Sequence, residues 1–368
     1  MKVLLIGEFS GFHRALKLGL QELGHEVVLA ASPDGYKNIQ IDINLWPPAI
    51  FEKIKILKAF LKQFTILKGI RRLKGYDVVQ FISPLKFCNS LPIYGLAFNR
   101  YIYEYLILNN KKSFLSACGN DPLYYKIGKN KVYYNPIDAH YKSINRKTPT
   151  ISPEKVEWNI ELAERVCGVI PASYDYLNSY KSFNAKINVS DLIPMPIYLP
   201  DFYYEGNQKV KGNHPVKILH GISRPGYKGT GFISKALFKL KKEYKDAIQI
   251  LTVERLPYDE YINCVRTTDI LIDQCNSYGY GINTLIGLAY GKVVLSGAEP
   301  KAVNALNVTD CPVINIKPDA EHIYAQIKKL LDSPESIVRM KEQSRNYVEK
   351  VHDAKAVAKQ YLVFWHNS

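Results

Sequence analysis

Acidic residues are scarce in this chain: 34 Asp and Glu stand against 49 Lys and Arg, a formal net charge of +15. That excess fits an anionic membrane surface, an acidic substrate or nucleic acid, and charge alone does not choose among them. Nucleic acid is not the expected partner, because no helix-turn-helix, zinc-finger or RNA-recognition motif is present and the 27 tyrosines are spread over both halves. The six cysteines, at 88, 118, 167, 264, 275 and 311, form no Cys-x-x-Cys pair. This excludes the usual zinc and disulfide frameworks, so reduced buried thiols and no metal site are expected. No apolar run approaches the length of a bilayer span, and Met1 leads into KVLLIG without a charged lead or a small-residue cleavage site. A cytoplasmic protein is expected, one that can also lie peripherally on the inner face of the membrane. The loop Gly7–His13, GEFSGFH, lacks the glycine spacing of a dinucleotide fingerprint, which removes support for a cofactor dehydrogenase. No repeat of solenoid period is found.

What is present is enough chain for two cores: 368 residues, 47% of them hydrophobic. Lys2–Ile6, a helix over His13–Leu23 stopped by Gly24, and Glu26–Ala31 read as a βαβ opening. Short strands follow at Val78–Ile82, Lys112–Ala117 and Val166–Pro171. Residues 190–215 are rich in proline and polar residues and read as a linker. A second α/β series starts at Val216 and ends in helical stretches over 319–332 and 335–362. The expectation is α/β: two Rossmann-like doubly wound domains facing a cleft, with a C-terminal helical tail. The expected boundaries are 1–195 for an acceptor domain, 196–215 for the linker and 216–345 for a donor domain. The helix at 346–368 is expected to pack back on the first domain. The ligand is expected in the cleft, at the carboxyl ends of the strands.

Two segments carry the chemistry. His220–Gly229, HGISRPGYKG, ends a strand at Gly221, turns through Ser223, Arg224 and Lys228, and enters a helix near Thr230. A helix N-terminus offers free N–H groups, Arg224 a bidentate fork and Lys228 a point charge, a combination suited to phosphate. The plain alternative is a Pro225-Gly226 turn with solvated cations. Ile272–Gly297 then delivers Gln274, Tyr278, Gly279, Tyr280 and Gly281 from a strand end to a helix starting near Ile282. Gly279 and Gly281 allow close backbone approach or positive φ, with Asn283 and Thr284 as donors. Gly287 and Gly291 fit tight helix–strand packing. The two segments together point to a phosphorylated ligand, a sugar nucleotide.

HGISRPGYKGTGFI, then LPYDEY, TTDILIDQ and YGYG…GLAYGKVVLSG, resemble the donor half of GT-B glycosyltransferases, most of all the retaining polysaccharide and lipopolysaccharide group (family four, glycosyl transferases group 1). Gly221, Lys228-Gly229, Gly281, Ala289, Gly291 and Val293-Val294 sit where that pattern has them, and Arg224 is offset by two. The family's two acidic residues fall on Tyr278 and Ile286. In the family the first acid lies by the transferred sugar and the second holds the nucleotide ribose, so Glu254 and Glu299 are the acids available to substitute. Asp273-Gln274 resembles an Asp-Gln signature of a subgroup. The resemblance implies no Asp-x-Asp metal site and no cofactor, the nucleotide sugar being a substrate. It covers the C-terminal half in motifs and the N-terminal half in architecture.

In the N-terminal half, Ser116–Asp121 resembles the Gly-Ser-Asp turn of related enzymes. Asn120 and Asp121 are candidates for an acceptor hydroxyl, Asp121 as a catalytic group, with a helix cap before Pro122 as the equal alternative. Gly11 and His13 are further acceptor-side candidates. Residues 51–75 hold eight Lys and Arg against one acid. Read as a helix, Lys55, Lys58 and Lys62 share one face and Leu57, Phe60, Leu61 and Phe64 lie opposite, a pattern for an anionic membrane surface.

The expected activity is metal-independent transfer of a glycosyl group from a nucleotide sugar to a glycan or polyprenyl-linked acceptor, in bacterial surface polysaccharide synthesis such as capsule or lipopolysaccharide. Arg224 and Lys228 would neutralise the leaving diphosphate. The alternatives are a sugar-nucleotide epimerase or hydrolase on the same fold, and a catalytically silent glycan- or membrane-binding subunit. The eight histidines form no cluster for the first, and the missing acidic pair is the argument for the second.

Overall fold

The computed structural model describes residues 1–32, 39–45, 55–88, 92–183, 186–204, 206 and 214–368, the side chains of 55–59 and 92–94 excepted. The chain groups into two compact units: Met1–Gly128, Thr150–Pro196 and Ala354–Ser368 form unit 1, and Lys129–Pro149 with Ile197–Asp353 form unit 2. Residues 129–149, which the sequence places with the first half, therefore group with the second.

Unit 1 contains β1 (Lys2–Ile6), α1 (Phe12–Glu22), β2 (Glu26–Ala31), β3 (Ile43–Asn44), α2 (Lys55–Gly69), β4 (Val78–Phe81), α3 (Pro92–Leu108), β5 (Lys112–Ala117) and α4 (Pro122–Lys126). After α5 (Pro136–Ser143), which lies in unit 2, come α6 (Pro153–Arg165), β6 (Gly168–Pro171) and α7 (Tyr174–Lys181). The six strands are parallel in the order β3-β2-β1-β4-β5-β6, the doubly wound order that reverses between β1 and β4. Strands covered on both faces are buried at every position, as β4 and β6 are, and the polar side chain within β4, Gln80, donates to Ser116 Oγ at 2.6 Å. Leu4, Ile6, Phe81, Tyr103, Leu115, Trp158 and Leu162 share one core.

The basic helix departs from the sequence expectation. Lys62, placed on an outward face, is buried, and its ammonium donates to the Cys88 carbonyl at 3.1 Å, while Phe60 and Phe64 are exposed. The buried Ile66, Ile70 and Leu73 decide which side meets the core, and Lys62 lies one turn before Ile66 on that side. The side chains of Lys55, Leu57 and Lys58 lie outside the described residues.

Unit 2 contains β7 (Val216–Ile222), α8 (Pro225–Lys228), α9 (Thr230–Tyr244), β8 (Ile248–Glu254), α10 (Tyr258–Thr267), β9 (Ile270–Ile272), α11 (Ile282–Ala289), β10 (Val293–Ser296), α12 (Pro300–Asn304), β11 (Ile314–Asn315), α13 (Ala320–Leu331) and α14 (Pro334–Val351). Its sheet is also parallel, in the order β11-β10-β9-β7-β8, so its direction of winding reverses between β7 and β9. Ile218, Ile233, Leu240, Ile270, Leu295, Ile323 and Ile337 form the core.

The helical tail expected over 335–362 breaks at His352-Asp353. Ile197 N–H donates to the His352 carbonyl at 2.8 Å and Ile197 bridges Asp353, so that carbonyl leaves the helical ladder. The chain then forms α15 (Ala354–Asn367), which packs on α1 in unit 1. Trp365 donates to Gln80 at 3.1 Å, and the Lys112 ammonium bonds the carbonyls of Trp365, His366 and Ser368, which a helix end leaves open. No helix among the described residues is long and apolar enough to cross a membrane.

Candidate functional site

In a doubly wound sheet, ligands bind beyond the carboxyl ends of the strands where the winding reverses. In unit 2 that place lies between Gly221-Ile222 at the end of β7 and Asp273 just after β9. Asp273 is buried and accepts from Lys228 Nζ at 2.9 Å, Asn283 Nδ2 at 2.8 Å and Thr284 Oγ1 at 3.0 Å. Burial alone would raise its pKa. The Lys228 charge and these hydrogen bonds outweigh burial and hold the carboxylate below its usual range. Lys228 also donates to the Gly221 carbonyl at 2.8 Å. The expected free point charge is thus half of a shielded ion pair, with one of three ammonium protons left over.

Two helices begin here without a side-chain cap: α9 at Gly229, whose φ of 75° is the left-handed conformation, and the eight-residue α11 at Gly281. Gly279 and Gly281 do not adopt positive φ, contrary to one of the options the sequence leaves open. What they provide is room: a Cβ on Gly281 would meet nothing within 4 Å, and one on Gly279 only Ala302 at 4.0 Å. Ile282, half-buried, opens α11. Gly221 lacks such room, since its Cβ would come within 2.6 Å of the Tyr261 ring. Asn283 does not present a free amide, because it donates to Asp273 and accepts from Tyr261 Oη at 2.6 Å. Gln274 donates to the Gly279 carbonyl at 3.2 Å and so shapes the loop. Tyr280 is buried, with its hydroxyl 2.7 Å from that of Tyr347 and 3.1 Å from His352 Nε2.

Arg224 and Ser223 are exposed. The Arg224 guanidinium lies 4.7 Å from the Tyr227 ring centre, and Tyr227 stacks on His140 at 4.5 Å and 24°. A three-layer stack therefore orders a cation that makes no ion pair among the described residues. His140 comes from α5, in the segment 129–149, which packs on α8.

The positions where the resembled family has acids are apolar in effect. Ile286 is buried in α11. Tyr278 packs its ring 4.9 Å from that of Tyr134 and its hydroxyl accepts from Tyr133 N–H at 3.1 Å. Of the two substitute acids, Glu299 is occupied: its Oε1 accepts from Tyr134 Oη at 2.6 Å and Asn315 Nδ2 at 3.0 Å, with Lys317 at 3.7 Å. Burial raises its pKa, and these donors together bring it below the usual value. Glu254, at the end of β8, is exposed and among the described residues has Arg255 as its ion-pair partner, at 3.6 Å.

In unit 1 the winding reverses at the β1–α1 loop. Glu8, nearly buried, accepts from Gly11 N–H at 2.8 Å and Arg14 N–H at 2.7 Å, so an internal carboxylate fills the α1 N-terminus. Burial still lifts the Glu8 pKa above the ordinary carboxylate value. His13 is fully buried, donates from Nδ1 to the Gly7 carbonyl at 2.8 Å and has no partner for Nε2 among the described residues. Burial lowers its pKa to about 3, so it is neutral. Asp121 caps α4, the structural alternative the sequence offered for it. It is fully buried, takes the Tyr124 N–H at 3.0 Å and the Tyr180 hydroxyl at 2.7 Å, and burial pushes its pKa to about 6. Asn120, beside it, is exposed.

Sequence reasoning missed His220, Tyr227 and His140. His220 bonds Ile272 O from Nδ1 at 2.9 Å, which leaves Nε2 to accept from Thr230 Oγ1 at 3.0 Å. It thereby ties β7, β9 and the start of α9 together, and burial lowers its pKa to about 4. Its strand-end position next to Gly221 was the available signal; nothing in sequence announced the stack. Among the described residues, no cluster of three or more His, Cys, Asp or Glu could hold a metal ion.

No family model and no curated protein matches the chain. Solved structures do match over its whole length. Sucrose-phosphate synthase from Thermosynechococcus elongatus is 14% identical with a TM-score of 0.65, over 100% of this chain and 99% of that one. HepE from Anabaena, solved with UDP and glucose, is 11% identical with a TM-score of 0.59, over 100% of both chains. UDP-GlcNAc 2-epimerase from Neisseria meningitidis, solved with UDP-GlcNAc, is 12% identical with a TM-score of 0.54, over 100% of both. These likenesses agree with the two parallel sheets and their winding, and the chain has the GT-B fold, built of two Rossmann-like units.

Proposed function

We propose that the protein is a glycosyltransferase that takes a sugar from a nucleoside-diphosphate sugar and passes it to a glycan or polyprenyl-linked acceptor in bacterial surface polysaccharide synthesis. The observation that carries this reading is the winding reversal of unit 2. There the helix starts at Gly229 and Gly281, which have no side-chain cap, and Arg224, which has no ion pair among the described residues, are built around the Lys228–Asp273 pair. A diphosphate is the ligand whose charge matches N–H groups and a guanidinium together. Negative charge grows on that diphosphate as the glycosidic bond breaks, so donors fixed beforehand lower the barrier.

Each residue then has a role. Arg224 neutralises the leaving group. Lys228 holds the loop to Asp273 and Gly221 and offers its third proton to a phosphate oxygen. Backbone N–H groups at the start of α11 bind beside the open faces of Gly279 and Gly281. Glu254 is the exposed acid proposed for the sugar or ribose hydroxyls, Glu299 being held by Tyr134, Asn315 and Lys317. On the acceptor side the exposed Asn120 and the loop at Gly11 are the proposed contacts, and no resident metal is invoked. The structures of HepE and of the Neisseria epimerase hold UDP or a UDP-sugar, which supports a uridine nucleotide as the first donor to try.

The test is saturation-transfer NMR with UDP-, GDP- and ADP-sugars, followed by nucleotide-release assays with the donor that binds. Arg224→Ala is expected to lower transfer by about 100-fold, the usual loss of one preorganised donor. Wild-type turnover in Arg224→Ala, or no nucleotide sugar bound, would reject the reading. Release of an epimerised or free sugar without an acceptor would assign the site to an epimerase or hydrolase.

A further inference from the structure

The outer side of α2 combines features that a water-facing helix normally keeps apart. Phe60, Phe64 and Leu67 are 58%, 65% and 42% exposed. Spacings of four and three residues align them as one stripe. Isolated exposed hydrophobes are ordinary, whereas an aligned apolar stripe marks an interaction surface. Lys68, Arg71, Arg72 and Lys74 follow directly, all exposed, and none pairs with a carboxylate among the described residues. The sequence has no Asp or Glu between Glu52 and Asp77. Lys62 is meanwhile buried on Cys88 O, so the helix turns a cation inward and two phenyl rings outward. Leu108, 78% exposed, borders the same turn: Asn109 O accepts from Gly75 N–H at 2.9 Å and Asn110 Nδ2 donates to Leu73 O at 3.1 Å.

We propose that this face docks on an anionic lipid surface, with Phe60, Phe64 and Leu67 entering the boundary between headgroups and acyl chains and Lys68, Arg71 and Arg72 on the headgroup phosphates. Rings flanked by cations without compensating acids match such a boundary in both polarity and charge. A second copy of the chain is a poorer fit, because its own Lys68, Arg71 and Arg72 would meet these across the contact with no carboxylate between them. The proposal goes beyond the transfer reaction and stands or falls without it.

The experiment is co-sedimentation of the full chain with phosphatidylcholine vesicles and with vesicles containing phosphatidylglycerol. Wild type is expected to sediment with the anionic vesicles and not the neutral ones. Arg71→Glu with Arg72→Glu is expected to cost tenfold or more in affinity at low salt, each cation acting near the surface. Phe60→Ser with Phe64→Ser is expected to weaken binding by a similar factor while keeping the preference for anionic lipid, with unchanged circular dichroism and melting. Wild-type binding by the phenylalanine variant would overturn the proposal, as would failure of wild type to bind. A wild-type dimer in light scattering that the phenylalanine variant abolishes would give the face to a second copy and overturn it too.

Discussion

At the residue scale, the site is governed by which charges are free and which are spent. Arg224 makes no ion pair among the described residues, and its order comes from rings: Tyr227 beneath it and His140 beneath Tyr227. Replacing His140 by Ala removes the lowest layer but touches no reacting atom in the proposed reaction. His140→Ala is therefore expected to raise KM for the donor several-fold with less effect on kcat, and His140→Phe to restore it. Steady-state kinetics of the pair checks this, and equal values for Ala and Phe would make the stack incidental. His220 gives a pH dependence with a definite sign. Its folded pKa of about 4 lies below the ordinary 6.5, so the unfolded chain binds a proton that the folded one refuses between those values. Its contribution is whole above pH 6.5 and is lost as pH falls toward 4, on the order of 3 kcal/mol in full. His13 acts in the same direction in unit 1. Asp121 opposes them, since a raised carboxyl pKa favours the fold as pH falls from about 6 toward 3.8. His220→Asn can keep the donor to Ile272 and the acceptor for Thr230. It is expected to flatten the urea midpoint of unit 2 between pH 6.5 and 4, and a profile as steep as wild type would show that His220 titrates normally.

At the element scale, legibility followed the range of the interaction. Strand runs such as Lys2–Ile6 and Lys112–Ala117 announce themselves, because a strand covered on both faces is a short run rich in apolar residues, and every residue after the first is buried in both. The strand-to-helix turns at Gly221–Gly229 and Asp273–Gly281 were legible for the same local reason, and so was Gly287 as a packing residue, its Cβ position lying 2.6 Å from Leu271. Partnerships across the chain were not. The Lys228–Asp273 pair, the His140–Tyr227 stack and the seating of Tyr280 on Tyr347 join residues that no periodicity connects. The face of α2 failed for a further reason. A sequence pattern ranks residues by polarity, and the position beside Ile66 went to the aliphatic stem and ammonium of Lys62 because Cys88 O was there to receive it. Where α1 meets α15, one glycine sets the approach: a Cβ on Gly19 would fall 2.1 Å from the Ala354 carbonyl oxygen, and backbone cannot swing aside as a side chain can. Gly19→Ala is expected to destabilise unit 1 by roughly 1–3 kcal/mol, the usual range for overpacking. Thermal melting followed by tryptophan fluorescence would read it, Trp365 being buried on α15. An unchanged melt would mean that α15 shifts without cost.

At the scale of the whole molecule, the two units differ in what they can report. The chain passes between them at 128–129, 149–150, 196–197 and 353–354, yet each has its own parallel sheet and its own core. Trp158 and Trp365 are buried in unit 1, Trp46 falls in its segment Met1–Gly128, and the segments of unit 2 contain no tryptophan. Tryptophan emission therefore follows unit 1, while far-ultraviolet circular dichroism follows both. If the nucleotide is held by the winding reversal of unit 2, a nucleoside diphosphate stabilises unit 2 by mass action, about 2.7 kcal/mol at a hundred times its Kd. Unfolding in urea is then expected to show a dichroism component that moves to higher denaturant with UDP while the fluorescence midpoint stays in place. Arg224→Ala should shrink the shift, since it removes the exposed cation from the site without disturbing the core. A fluorescence midpoint that moves equally with UDP would place nucleotide contacts on unit 1 as well. The loop around Glu8 argues against that outcome, because its carboxylate already occupies the N–H groups a phosphate would need.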